Sequence, residues 1–141
     1  MIYRNLSLAQ VRKLGASIGK KAAKKGSIIG LSGNLGSGKT TFSKAVATSL
    51  GIKSLKSPTF IVSQRYPLKE SFLYHIDFYR LDRPKQLLPL GLGEILSSDN
   101  IVLIEWVDKF PRIMRKCDIL INFQVKPNNK RDVSIKIPNA K

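Results

Sequence analysis

Leu8, Val11, Leu14, Ile18 and Ala22 recur three or four positions apart, the spacing that lines one face of a helix. Residues 7–25 are therefore predicted to form an amphipathic helix with that stripe turned to a core. Ser7 followed by Gln10 makes a capping box, and Gly26 supplies a stop. Lys13, Lys20 and Lys24 fall on the opposite face, as ordinary solvated charges or as contacts for an anionic partner. A second helical stripe, Phe42, Ala45, Val46 and Leu50, ends at Gly51.

Strand patterns lie between and after these helices. Residues 28–31, the first core strand expected, and 101–104 are unbroken apolar runs, as in strands buried on both faces of a parallel sheet. Residues 60–66 and 72–78 read as two strands joined by residues 67–71. In the second, Phe72, Tyr74, Ile76 and Phe78 alternate with Leu73, His75 and Asp77, which puts His75 and Asp77 on one face. Residues 81–96 are predicted to be helical in pieces. Pro84 suits a first turn, whereas Pro89, Gly91 and Gly93 divide the run into two short helices. Ile119, Ile121, Phe123 and Val125 alternate, as do Val133, Ile135 and Ile137. With a turn over residues 127–130 they predict an antiparallel hairpin, added to a parallel sheet. No repeat, linker or low-complexity tract divides residues 1–141, which are expected to form one domain.

The first apolar strand runs into Gly33-Asn34-Leu35-Gly36-Ser37-Gly38-Lys39-Thr40. This fits G-x-x-x-x-G-K-[ST], the phosphate-binding P-loop, in the strand–loop–helix context that the motif requires. Its glycines let the backbone wrap closely around a phosphate. The loop N–H groups and the start of the following helix form an anion cradle. Lys39 adds a mobile positive charge, and the Thr40 hydroxyl is suited to Mg²⁺. The expected class is α/β, a P-loop NTPase-like three-layer fold with a mainly parallel central sheet and the C-terminal antiparallel hairpin.

Two acids complete the constellation. Glu105 ends the second pure apolar strand, the Walker B arrangement, in which a carboxylate holds or orients Mg²⁺ and water beside the P-loop. Asp77 comes late in an apolar strand, where an unpaired charge is costly. It is a candidate for the Mg²⁺–phosphate site, with a salt bridge to Arg80 or another nearby base as the alternative. Ser57 and Thr59 could offer hydroxyls to a γ-phosphate, although Ser-Pro-Thr is more often a simple turn. Asn129-Lys130-Arg131-Asp132 matches the guanine-reading N-K-x-D, but it sits in a hairpin turn with a strand following. It is read as accidental, which leaves GTP specificity a minority view.

Charge adds a question about partners. Lys and Arg number 25 against 9 Asp and Glu, a formal net charge of +16, and no acid precedes Glu70. A purely basic first half suits a polyanionic partner such as RNA, or an acidic protein. A lineage bias toward lysine gives the same composition, and no aromatic-rich RNA-reading motif accompanies it. Cys117 is the only cysteine, so no internal disulfide forms, as suits a reducing compartment. With His75 the only histidine, zinc, Ser-His and Cys-His chemistries are disfavoured. The N-terminus lacks the apolar core of a signal peptide, and no run approaches membrane-spanning length. A cytoplasmic protein without membrane contact is expected.

With the P-loop, Ser57-Pro58-Thr59-Phe60, His75-Ile76-Asp77-Phe78-Tyr79-Arg80-Leu81, Leu90-Gly91-Leu92 and Leu103-Ile104-Glu105-Trp106 assembled, the chain resembles the TsaE (formerly YjeE) family. These are bacterial ATPases of tRNA threonylcarbamoyladenosine biosynthesis. The order and spacing of the blocks cover residues 7–125. The resemblance implies a Mg²⁺-dependent ATPase that acts with TsaD and TsaB, the proteins that transfer a threonylcarbamoyl group to adenosine beside the anticodon. It implies that Gly36, Ser37, Gly38, Lys39, Thr40 and Thr41 hold the phosphates. Thr40 and Glu105 would bind Mg²⁺, with Asp77 in the same cluster, and Trp106 would lie near the nucleotide or at the partner contact. The chain departs from the family at Asn34, where Asp is usual, and at Val107-Asp108, where Pro-Glu or Pro-Gln often follows the tryptophan. Catalysis is expected to rest on Lys39, Asp77 and Glu105, with Asp77 either completing the metal shell or orienting water. No motif positions an arginine finger, so slow activity is expected without a partner. A small-molecule P-loop kinase and a nucleotide-gated RNA-binding module are the alternative readings.

Overall fold

The computed structural model describes residues 1–56, 62–97 and 99–138. Its centre is a seven-stranded sheet. Strands β1 (Ile2–Leu6), β2 (Ser27–Gly33), β3 (Ser63–Pro67), β4 (Phe72–Asp77), β5 (Ile101–Glu105), β6 (Ile119–Val125) and β7 (Arg131–Lys136) lie in the order β1-β7-β6-β2-β5-β4-β3. The central run β6-β2-β5-β4 is parallel throughout, whereas β3 and β7 oppose their neighbours. β1 pairs antiparallel to β7 and so points with the central strands.

The apolar patterning explains three layers. On one face, helices α1 (Leu8–Ala22) and α2 (Lys39–Ser49) bury Val11, Ile18, Phe42 and Val46 against Ile29, Leu31, Leu103 and Ile121. On the other, α3 (Leu92–Ser97) and α4 (Pro111–Met114) contribute Leu92, Ile95 and Ile113 to a cluster with Ile76, Val102 and Ile104. Successive β5 side chains serve alternate clusters, which is why the whole strand is buried and apolar up to its final acid. The α1 cap is the expected one: Gln10 N–H donates to Ser7 Oγ at 3.2 Å, and Ser7 N–H donates to Gln10 Oε1 at 2.8 Å. α1 approaches α2 closely because Gly15 carries no side chain; a Cβ there would stand 2.8 Å from Phe42 O.

Several expectations need correction. Residues 28–31 form the first core strand, as part of β2, but an edge strand that was not expected, β1, precedes it. Ile2-Tyr3-Arg4-Asn5-Leu6 carries no strong strand pattern, because it is a half-exposed edge held by long-range pairing to β7. The C-terminal hairpin forms, yet it is not an appendage: β6 lies parallel to β2 inside the sheet. Leu8 was expected in the core but is 36% exposed, since the first turn of α1 projects past the sheet toward the P-loop. The two short helices expected over 81–96 are present as a 3₁₀ helix, Pro84–Leu90, and α3, but only Gly91, at φ 68°, divides them; Pro89 and Gly93 lie inside the helices. Of the strand expected over 60–66, Phe60 and Ile61 lie outside the described residues, as do Ser57, Pro58 and Thr59.

Candidate active site

Parallel pairing carries the ends of β2, β5 and β4 to one edge of the sheet. In register, Leu31 stands opposite Glu105, and Glu105 opposite Asp77. The P-loop leaves β2 at this edge, where open α/β sheets commonly bind ligands. It delivers the chain into α2 with Gly36 at φ 74° and Gly38 at φ 115°. Gly38 is the residue immediately before α2. Its left-handed conformation is open to glycine at little cost.

A cavity of 310 Å³ opens over the loop. Gly36, Ser37, Gly38, Lys39, Thr40 and Thr41 line it from below, with Asp77, Glu105 and Trp106 beside them. Gly33 is not among its walls. It lies beneath the loop, where a Cβ would stand 2.5 Å from Phe123 O, and its carbonyl accepts a hydrogen bond from the Lys39 ammonium. Lys39 Nζ also donates to Asn34 O at 2.9 Å and lies 4.2 Å from the centre of the Trp106 ring. Burial pushes the Lys39 ammonium below its ordinary pKa, and the charges of Glu105, Asp77 and Asp108 oppose that shift.

Glu105 is nearly fully buried, so both its oxygens need partners. Thr40 Oγ1 donates to Oε1 at 3.1 Å, and His75 Nε2 lies 2.5 Å from Oε2. Asp77 Oδ1 accepts from Tyr79 N–H at 2.9 Å. Burial raises the Asp77 carboxyl above its ordinary range and the nearby Glu105 adds to this, against the lowering effect of the Tyr79 amide. A hydroxyl and two carboxylates on one wall form an all-oxygen donor set, which fits a hard divalent cation such as Mg²⁺.

Four contributors escaped the sequence reading. His75 shares a face with Asp77 and grips Glu105; the alternation that put it on that face was the available signal. Tyr79 packs on Trp106 with ring centres 5.1 Å apart, and Leu8 and Leu35 form part of the cavity rim. Trp106 itself adopts φ 60°, an uncommon conformation for a bulky residue, which swings its ring from the end of β5 over Lys39. Asp132 of the N-K-x-D match is elsewhere, bound to Asn5 N–H at 3.0 Å and to Lys126 Nζ at 3.3 Å. It closes the β1–β7 edge.

A family model described as "Threonylcarbamoyl adenosine biosynthesis protein TsaE" matches residues 6–133. Among curated relatives, the tRNA threonylcarbamoyladenosine biosynthesis protein TsaE of Haemophilus influenzae is 34% identical over 112 residues, 79% of this chain and 71% of that protein. The Aquifex aeolicus protein of the same name is 36% identical over 111 residues, 77% and 75% of the two chains. The crystal structure of Bacillus subtilis YdiB superposes with a TM-score of 0.74 at 26% identity, covering 99% of this chain and 86% of that one.

Proposed function

The chain belongs to the TsaE family of threonylcarbamoyl adenosine biosynthesis proteins, and from that premise we propose that it is a Mg²⁺-dependent ATPase serving tRNA modification together with TsaB and TsaD. The observation that carries the reading is the junction of the P-loop with the two strand-end acids. Thr40 bonds Glu105, and Asp77 stands next to Glu105 in register. A phosphate cradle alone holds an anion; a cradle joined to a carboxylate pair suits metal-dependent phosphoanhydride hydrolysis.

In this mechanism the loop N–H groups and Lys39 hold the phosphates and stabilise charge growing on the β–γ bridge and the γ-phosphate. Lys39 exchanges its contacts with the loop carbonyls for the phosphate oxygens. Thr40 and Glu105 would hold Mg²⁺, with Asp77 either joining them or orienting the attacking water. When bound, the ion neutralises phosphate charge and polarises the phosphoryl group. His75 fixes the rotamer of Glu105 from below. The protein acts as one cytoplasmic P-loop domain; among the described residues no helix is long and apolar enough to cross a membrane.

The test is ATP hydrolysis measured alone and with TsaB–TsaD, with Lys39→Ala as control. Stimulation by the pair and loss in the variant are expected. Equal rates with and without the pair would remove partner activation, and full activity of Lys39→Ala would remove the site. Phosphate release without any acceptor separates hydrolysis from a small-molecule kinase, and ATP–GTP competition fixes the base.

A further inference from the structure

We propose that the groove between α1 and α2 binds the phosphate backbone of RNA. The groove encloses 540 Å³ on the side of the sheet covered by α1 and α2. Arg12 and Lys20 from α1 and Lys44 from α2 line it, and all three are exposed. Its apolar lining is small, Ala16 and Ala45. Every charged residue of α1 and α2 is basic, and among the described residues Arg12, Lys20 and Lys44 make no ion pair. Their charge is therefore not neutralised within the fold. Arg12 and Lys20 are eight residues apart on one helix, about 12 Å along its axis. With Lys44 on the opposite wall, three cations border the groove, as suits the repeated charges of a nucleic-acid strand.

The lining also favours RNA over an acidic protein. The cores of protein interfaces are rich in aromatic residues, Met and Arg, and of these the groove has only Arg12. Backbone recognition needs cations and shape without such anchors. Thr41 borders both this groove and the cavity over the P-loop, so an occupant would lie beside the nucleotide phosphates. The choice of RNA rests on the tRNA-modification reading above.

The experiment is fluorescence anisotropy with a labelled tRNA anticodon stem–loop across a salt series. Arg12→Glu/Lys20→Glu/Lys44→Glu and the milder triple Gln variant are compared with the wild type, and polyglutamate serves as competitor. The expected result is a loss of about tenfold or more in affinity for the Glu variant, and a log K against log salt slope shallower by roughly 2–3. A smaller loss in the same direction is expected for the Gln variant. Unchanged affinity in both variants overturns the proposal, as does polyglutamate displacing the RNA at equal charge concentration, which assigns the groove to acidic protein. ATP hydrolysis by the same variants is expected to stay at the wild-type level. A wild-type protein that binds RNA but never hydrolyses ATP would refute the catalytic reading and leave this one standing.

Discussion

Thr40 Oγ1 donates to Glu105 Oε1 at 3.1 Å, which ties the first turn of α2 to the last residue of β5 across 65 positions of chain. The P-loop and the strand-end acid are thereby held as one unit. Replacing Glu105 with Gln keeps the shape of the side chain and removes its charge. ATP turnover is expected to fall by about 100-fold or more, with nucleotide still bound when Mg²⁺ is omitted. Phosphate release and equilibrium nucleotide titration check the two halves separately. Unaltered turnover would dismiss Glu105 from the chemistry.

Asp77 should trade stability for function. Burial, with help from Glu105, holds its carboxyl above the ordinary range. A carboxyl with a folded pKa above its unfolded value costs folding free energy as pH rises through that interval. Above it, the charge is harder to keep in the fold than in the open chain. Asp77→Asn is therefore expected to raise the Tm by about 1–3 °C at pH 7 while abolishing ATP hydrolysis. At a pH below the unfolded value, about 3.9, the stabilisation should vanish. Thermal unfolding at both pH values decides it.

Asp132 should behave in the opposite sense. The Asn5 amide, then Lys126 and Arg4, hold its carboxyl below the ordinary range. A depressed folded pKa contributes stability that is complete above the unfolded value and lost as pH falls through the folded one. Asp132→Asn should flatten the acid side of the stability profile in urea unfolding at stepped pH. It should leave ATP hydrolysis unchanged, because the residue sits at the β1–β7 edge.

Gly15 sets the spacing of α1 on α2. A methyl group there meets Phe42 O, a backbone atom, at 2.8 Å and Ala45 Cβ at 3.0 Å. Neither can rotate away, so the helices must part. Gly15→Ala is expected to cost about 1–3 kcal/mol by overpacking, measured as a lower urea midpoint. No loss of stability would mean that the helices slide apart freely.

Much of the site was legible because its parts are written locally. The P-loop is a contiguous motif; β5 is a contiguous apolar run with an acid at its end; the α1 cap is two residues three apart. His75 was legible only as a face. That its imidazole meets Glu105 depends on β4 lying beside β5, a neighbour relation that no local period encodes. Leu8 fits the helical stripe but not the core, since periodicity gives a face and not where the sheet beneath it ends.

The sequence by itself determined the cradle, the two buried parallel strands, the acids that end β4 and β5 and the helices that cover the sheet, because each follows from side-chain periodicity or backbone freedom over a few residues. Only the tertiary structure decided the strand order, the seat of β6 against β2, the edge strand β1 and the gathering of Thr40, His75, Asp77 and Glu105. The physical reason is that backbone hydrogen bonds between strands are nearly indifferent to residue type. Which strands pair is settled by how the whole set of apolar faces can be buried at once.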